Sequence, residues 1–416
     1  NDINLFNITF GLNGLQAVKM NGENIGYSSS SVTRTWNINN LTVNPEGYLY
    51  VGSSSSNATA TLKIIGNAEL AFSAANQLEI GGDNSNNRGA IQATGVTFTA
   101  LDTSTGWGGI FFRNYAADAS CLIDSSIIEY ASDGVYCASS SPTIRNNTIR
   151  NNTDGIEANS GSQPTITGNT FIGNGRPISI YNYRIDENIY GNSYSGNTKN
   201  YIEVTVTSLT ENRTYTWKKD GAPYLMMDSF SVERDNNGSQ LTTLKIESGA
   251  TVMFKDEDKL YVGSNNSNYR GALSATGVTF TALDTSLGWG GIYFSGYSDD
   301  GSSLIDSCII EYATDGIYCQ SASPTITNST IRNNTDGIHA DNGSEPTITG
   351  NTFTGNERPV SVYAHRIDET IYGNTYSGNT KDYIEVQSAT LSDNRTYTWK
   401  QDGAPYVAAS DIVVQR

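Results

Sequence analysis

The 416-residue sequence predicts an all-β solenoid of short parallel strands stacked coil upon coil, and three observations point there. The chain repeats itself at an offset of 182 residues. A shorter repeat of 22 or 23 residues runs inside the longer one. Within each short repeat, three triplets with an apolar centre are separated by gaps too brief to hold a helix.

The long repeat is unmistakable. Thr94-Gly-Val-Thr-Phe-Thr-Ala-Leu-Asp-Thr-Ser104 recurs unchanged from Thr276 to Ser286, Trp107-Gly-Gly-Ile110 returns at Trp289 to Ile292, and Pro164 to Phe171 returns at Pro346 to Phe353. The spacing does not drift, so the chain reads as two tandem 182-residue units. The expected organisation is residues 1–33 as an N-terminal cap or docking segment, 34–211 as unit 1, 212–393 as unit 2, and 394–416 as the start of a third unit with an open C-terminal end. The phrase from Arg213 to Tyr224 supports this, since it returns with one change at Arg395 to Tyr406.

The short repeat supplies the coils. Ile144-Arg-Asn-Asn-Thr-Ile-Arg-Asn-Asn152 aligns with Ile166 to Asn174, and Tyr190 to Asn197 continues the series. Thr143-Ile144-Arg145, Thr148-Ile149-Arg150 and Gly155-Ile156-Glu157 are then three strands of one coil, each turning its central residue inward by period two. One coil cannot bury its own apolar face. Coils stacked at the inter-strand spacing of about 4.8 Å make one continuous core.

Asparagines recur at the turns. Asn147, Asn169 and Asn192 form one expected column and Asn152, Asn174 and Asn197 a second; Asn351 with Asn374, and Asn356 with Asn379, repeat them in unit 2, where Ser329 interrupts the first column. Asn tolerates left-handed backbone and its amide can bond to a copy of itself, so these residues read as a structural ladder.

With these motifs in hand, the chain resembles the right-handed parallel β-helix repeat proteins, relatives in fold of the pectate lyases and common on microbial surfaces. The resemblance covers nearly everything from Trp36 onward and rests on Leu244 to Val252, Trp289 to Ile292, Ile310 to Ala313, Asp315 to Ile317 and Ser323 to Ile326. It implies the fold and leaves function open, because lyases, hydrolases, adhesins and inert stalks share the scaffold.

A net charge of −17 argues against nucleic acid or an anionic membrane as partner. No run approaches the ~20 apolar residues of a membrane span. The first residue, Asn1, suggests a processed or excised part of a longer precursor.

The search for chemistry yields weak patterns. Asn152-Thr-Asp154 and Asn334-Thr-Asp336 match the Asn-Thr-Asp tripeptide of polygalacturonase-type hydrolases, but His339 and His365 lack flanking glycines. Asp154-Gly155-Ile156 reads more simply as a turn in which Gly supplies positive φ. Lys255-Asp-Glu-Asp-Lys259 is the densest acidic stretch, a surface loop where weak calcium binding is conceivable, and no cofactor is otherwise expected. Cys137 and Cys319 are equivalent and point inward; Cys121 and Cys308 have no counterpart, so free thiols rather than disulfides are expected. Among the Asn-x-Ser/Thr sequons, Asn57, Asn212, Asn237 and Asn394 are the candidate glycan carriers. Tyr130, Tyr136, Tyr312 and Tyr318 are candidate outward rings that either stack on one another or hold sugars.

The expected role is a non-enzymatic extracellular or cell-surface structural or adhesive rod, with no catalytic, cofactor or metal residues, self-assembling head to tail into a filament or sheath or contacting surface glycans. The alternative is a carbohydrate-binding or polysaccharide-degrading β-helix.

Overall fold

The computed structural model describes residues 3–5, 17–21, 24–38, 42–74, 76–235, 241–392 and 396–415. The chain divides into two compact units, Asn1–Glu203 with Asp220–Ala222, and Val204–Lys219 with Pro223–Arg416.

Unit 1 is a parallel β-helix with three faces. Eight strands build its first face, ending with Leu122–Asp124, Thr143–Arg145, Thr165–Thr167 and Ile189–Tyr190. The second ends with Ile127–Glu129, Thr148–Arg150, Thr170–Ile172 and Ser193–Ser195. The third includes Gln77–Ile80, Trp107–Phe112, Ala131–Cys137, Asp154–Ala158 and Arg176–Tyr181. Every coil pairs in parallel with the next, and Ile144 stands opposite Ile166. The stretch read as a cap supplies strands of the same kind, since Ile3–Leu5 pairs with Trp36 to Ile38 and Ala17–Asn21 with Thr42 to Glu46.

The core is a set of apolar columns. Ile123, Ile144, Ile166 and Ile189 line the first face; Ile128, Ile149 and Phe171 the second; Ile110, Val135, Ile156 and Ile178 the third, all fully buried. Each such side chain contributes roughly 1.5–3 kcal/mol of burial. Unit 2 repeats the arrangement, with Ile305, Ile326, Ile348 and Ile371 in the column matching the first.

The corners explain the Asn pairs, with one correction. The left-handed residue is the one before the ladder position, which is Asn in all but the first of these rungs (Ser126 and Ala131 there): Ser125, Asn146, Gly168 and Gly191 at one corner, Tyr130, Asn151, Gly173 and Gly196 at the next. A single left-handed residue turns the chain sharply, and Asn or Gly meets that need at low cost. Tyr130 and Tyr312, expected as outward rings, occupy these positions too, at φ of 58° and 60°.

The ladder asparagines point inward from the corners. In the first column, Asn147 donates from its backbone N and from Nδ2 to Oδ1 of Asn169, at 2.9 and 3.0 Å, and from Nδ2 to the Ile123 carbonyl. Asn169 treats Asn192 the same way. The second column runs Asn152, Asn174, Asn197 by the same bonds. Each amide is buried and fully bonded, so it satisfies corner backbone that no strand reaches. The first column stops at Asp220, whose carboxylate accepts from Asn192 N, Asn192 Nδ2 and the Tyr194 hydroxyl. In unit 2, Asn351 and Asn374 lead to Asp402, and Asn334, Asn356 and Asn379 to Asp382. At the interruption, Ser329 Oγ accepts from Cys308 N and donates to Thr327 O.

Candidate functional site

In each unit, the outward side of the face that carries the Trp-Gly-Gly-Ile strand gathers a cluster of charged and aromatic side chains. Two columns arise from strand register. In unit 1, Phe111, Tyr136 and Glu157 stand opposite one another, and beside them Gly109, Asp133, Asp154 and Arg176. In unit 2 the columns are Tyr261, Tyr293, Tyr318 and His339, and Gly291, Asp315, Asp336 and Arg358.

A glycine bulge sets this register. Gly109 has φ of 120°, the pairing shifts between Gly109 and Ile110, and a Cβ at Gly109 would lie 1.6 Å from the Asp133 carbonyl oxygen. Gly291 faces Asp315 in the same way. The Trp-Gly-Gly-Ile phrase therefore encodes a bulge, a device that re-aims neighbouring side chains. Its tryptophan anchors the corner: Trp107 donates Nε1 to the Glu129 carbonyl and stacks on Phe72 at 4.5 Å.

In unit 1, Arg176 bridges the cluster. It reaches both oxygens of Asp154 at 2.9 Å, Glu157 at 2.7 Å and Glu203 at 2.7 Å; Glu203 also accepts from Lys199. Burial opposes the charge on Arg176, but the bonds to Asp154 and Glu203 outweigh it and raise its pKa. Among the described residues Asp133 has no such partner: burial first, then Glu157 and Asp154, push its carboxyl up to about 6. In unit 2, Arg358 binds Asp336 through two nitrogens and Glu385 at 2.7 Å, while Asp315 accepts a 3.0 Å bond from the Tyr293 hydroxyl. His339 Nδ1 lies 3.6 Å from Asp315 and 4.0 Å from Asp336. The rings of Tyr261, Tyr293, Tyr318 and His339 follow at 5.7, 4.8 and 5.0 Å, with the Lys259 ammonium over Tyr293.

The donor atoms of Asp133, Asp154 and Glu157, and of Asp315, Asp336 and His339, lie within 4.8 Å of one another. One guanidinium already pairs with two carboxylates of the first set, and another with Asp336 of the second. A cation there would compete with the arginine for those oxygens.

Asp154-Gly155-Ile156 differs from its expected role. Asp154 opens a strand and pairs with Arg176, and Gly155 is not left-handed; a Cβ on it would sit 2.5 Å from the Pro177 carbonyl oxygen. Close approach, not positive φ, demands this glycine. Sequence reading isolated Asp154 and Asp336 but missed Asp133, Asp315, Arg176 and Arg358 as their companions. The available signal was the recurrence of Asp-Gly followed by an aliphatic residue at 133, 154, 315 and 336.

The remaining candidates sit apart from this face. All four cysteines are buried and free, and burial pushes the Cys121 thiol up to about 12. The Lys255–Lys259 stretch is a turn with Glu257 left-handed, Lys255 bonded to the Met227 carbonyl and Asp258 to Ser229. Among the sequons, Asn57 is exposed, Asn212 is half-buried, and Asn237 and Asn394 lie outside the described residues. The sequon asparagines Asn146 and Asn328 already donate Nδ2 to Asp124 and Asp306. No helix among the described residues is long and apolar enough to cross a membrane.

The family model described as right handed beta helix region matches residues 25–193, 80–238 and 260–414. No curated protein matches the chain. Parallel rungs throughout both units, together with family matches over most of the sequence, place this chain in the right-handed β-helix family.

Proposed function

We propose that this is a non-enzymatic structural or adhesive protein of the extracellular space or cell surface, whose outward faces meet neighbouring copies or surface glycans. The observation that carries the reading is the use made of the chemistry-bearing side chains. The aspartates of both Asn-Thr-Asp phrases, Asp154 and Asp336, are each held through two nitrogens by an arginine one rung on. A carboxylate in such a pair has a lone pair of each oxygen engaged by a cation, which makes it a poorer general acid or base. The adjoining rings pack against one another as tilted pairs along the column, as cross-strand neighbours in a stabilised sheet do. A strongly acidic coat keeps such a surface soluble.

A second reading, action on a polysaccharide, draws on unit 2, where Asp315, Asp336 and His339 converge beside Arg358. One experiment separates the two. The full chain is incubated with polygalacturonate, alginate and xylan while reducing ends and unsaturated products are followed, and the same preparation is viewed by negative-stain electron microscopy and applied to a glycan array. No turnover, with polymers or glycan binding, is the expected result. Turnover abolished by Asp336→Asn would overturn it.

A further inference from the structure

Unit 2 also holds a polar cleft whose lining includes none of the residues of the aromatic column. It has a volume of about 540 Å³ and is lined by Arg234, Arg270, Ser267, Asn268 and the segment from Gly296 to Ser298. Two guanidinium groups at one cavity are unusual in a chain of net charge −17. The two residues are also joined through the backbone, Arg234 N donating to Arg270 O at 2.8 Å.

Arg234 is held and yet uncompensated. Its Nε donates to the Asn268 carbonyl at 2.9 Å and its Nη2 to the Ser267 carbonyl at 3.2 Å, which fixes the plane of the group against the loop. Among the described residues it forms no ion pair, and its Nη1 has no partner. Arg270 is paired with Asp299, and the nearby Asp300 accepts from the Ser298 hydroxyl and from Ser323 N. Tyr297, at 42 % exposure, places a ring at the rim. Unit 1 offers an internal contrast. The counterparts of Arg270 and Tyr297 are Arg88 and Tyr115, but Ser53 stands where unit 2 has Arg234, each donating its backbone N to the carbonyl of the arginine on the facing loop.

A guanidinium immobilised by backbone carbonyls, with one edge left over, is prepared to bind an oxyanion without further ordering. We propose that the Arg234–Arg270 cavity is a binding site of unit 2 for a ligand bearing a carboxylate or a sulfate group. Arg234 supplies the free fork edge, Arg270 adds positive charge, and Ser298 and Tyr297 meet the rest of the ligand. The site is independent of the acidic third face, and it stands or falls separately from the structural or adhesive reading.

The test is calorimetric titration of the full chain with sodium sulfate, with glucuronate, and with glucose as the neutral control, at constant ionic strength. Saturable binding of either anion and none of glucose is expected. Binding of sulfate alone identifies a sulfate group as the recognised chemistry, and binding of glucuronate a carboxylate. Arg234→Gln should weaken the interaction by about tenfold or more. Tyr297→Glu, at the exposed rim, leaves the bonds of Arg234 in place and sets a competing carboxylate beside the cavity; it should abolish binding with an unchanged circular dichroism spectrum. Absence of saturable binding to the unaltered chain, or unaltered affinity in both variants, would overturn the proposal.

Discussion

On the outward third face, unit 1 carries Glu79, Phe111, Tyr136 and Glu157 where unit 2 carries Tyr261, Tyr293, Tyr318 and His339. The backbone beneath is the same, with the same glycine bulge and the same arginine one rung beyond the paired aspartates. Exchanges arrive with their partners. Glu79 is bonded to Arg113 in unit 1, and both are gone in unit 2, where Tyr261 and Ser295 stand. Phe111 leaves Asp133 without the hydroxyl that Tyr293 gives Asp315. The rung geometry depends on inward columns, corners and bulge, so outward positions can change in sets while the fold stays put.

Four sets of substitutions would break or sharpen this comparison. The largest effect is expected at the shared bulge: Gly109→Ala and Gly291→Ala should each cost about 3 kcal/mol or more in urea denaturation, because both place a Cβ against a carbonyl oxygen. Markedly unequal losses would mean that the two units do not use the bulge alike. Next come the arginines. Arg176→Met strands Asp154 and Glu157 and leaves Glu203 to Lys199 alone, whereas Arg358→Met takes the arginine from Asp336 and leaves Glu385 to Lys381 and Gln387. Losses of about 2 kcal/mol at pH 7 are expected, larger for Arg176 and shrinking in both toward pH 4 as carboxylates protonate.

Asp133 should distinguish the units by pH. Its carboxyl titrates at about 6 in the folded unit against an ordinary 3.8, so the folded state binds more protons between those values. Stability is therefore lost as pH rises from about 4 to 6, and stays lost above. Asp133→Asn should raise thermal stability at pH 8, by about 1 kcal/mol after allowing for solvent screening, and leave pH 4 unchanged. Asp315→Asn, which weakens the bond from Tyr293, should bring no such gain. The smallest effect belongs to Asn147→Ser, which installs in unit 1 the residue that unit 2 uses at Ser329. A cost of about 1 kcal/mol or less is expected in denaturant melts, since a hydroxyl can take over the bond from the preceding backbone N.

Much of the fold was legible because a solenoid writes its period directly into the chain. Thr143-Ile-Arg145 and Thr165-Ile-Thr167 announce their own pairing, and the ladder asparagines fall at the positions their spacing implies. The corner conformations were harder to read. Tyr130 and Tyr312 take the left-handed place that later rungs of the same corner give to Asn or Gly, and nothing in a tyrosine signals that. The outward cluster was legible only in part, since Asp133 and Asp154 are brought together by register while Arg176 joins them from a further rung. Glycines were misread where the reason is crowding rather than torsion, as at Gly155, because one letter serves both purposes.

The aspartates that close the amide columns have a consequence for how such a chain can lengthen. Every Asn in a column gives hydrogens toward one end and takes them from the other, so the stack has a sense of direction, like a one-way queue. Asp220 and Asp402 receive and have nothing to hand on. Because the terminator lies within the duplicated text, copying the segment copies its full stop, and each new copy brings a ladder of set length rather than extending the old one.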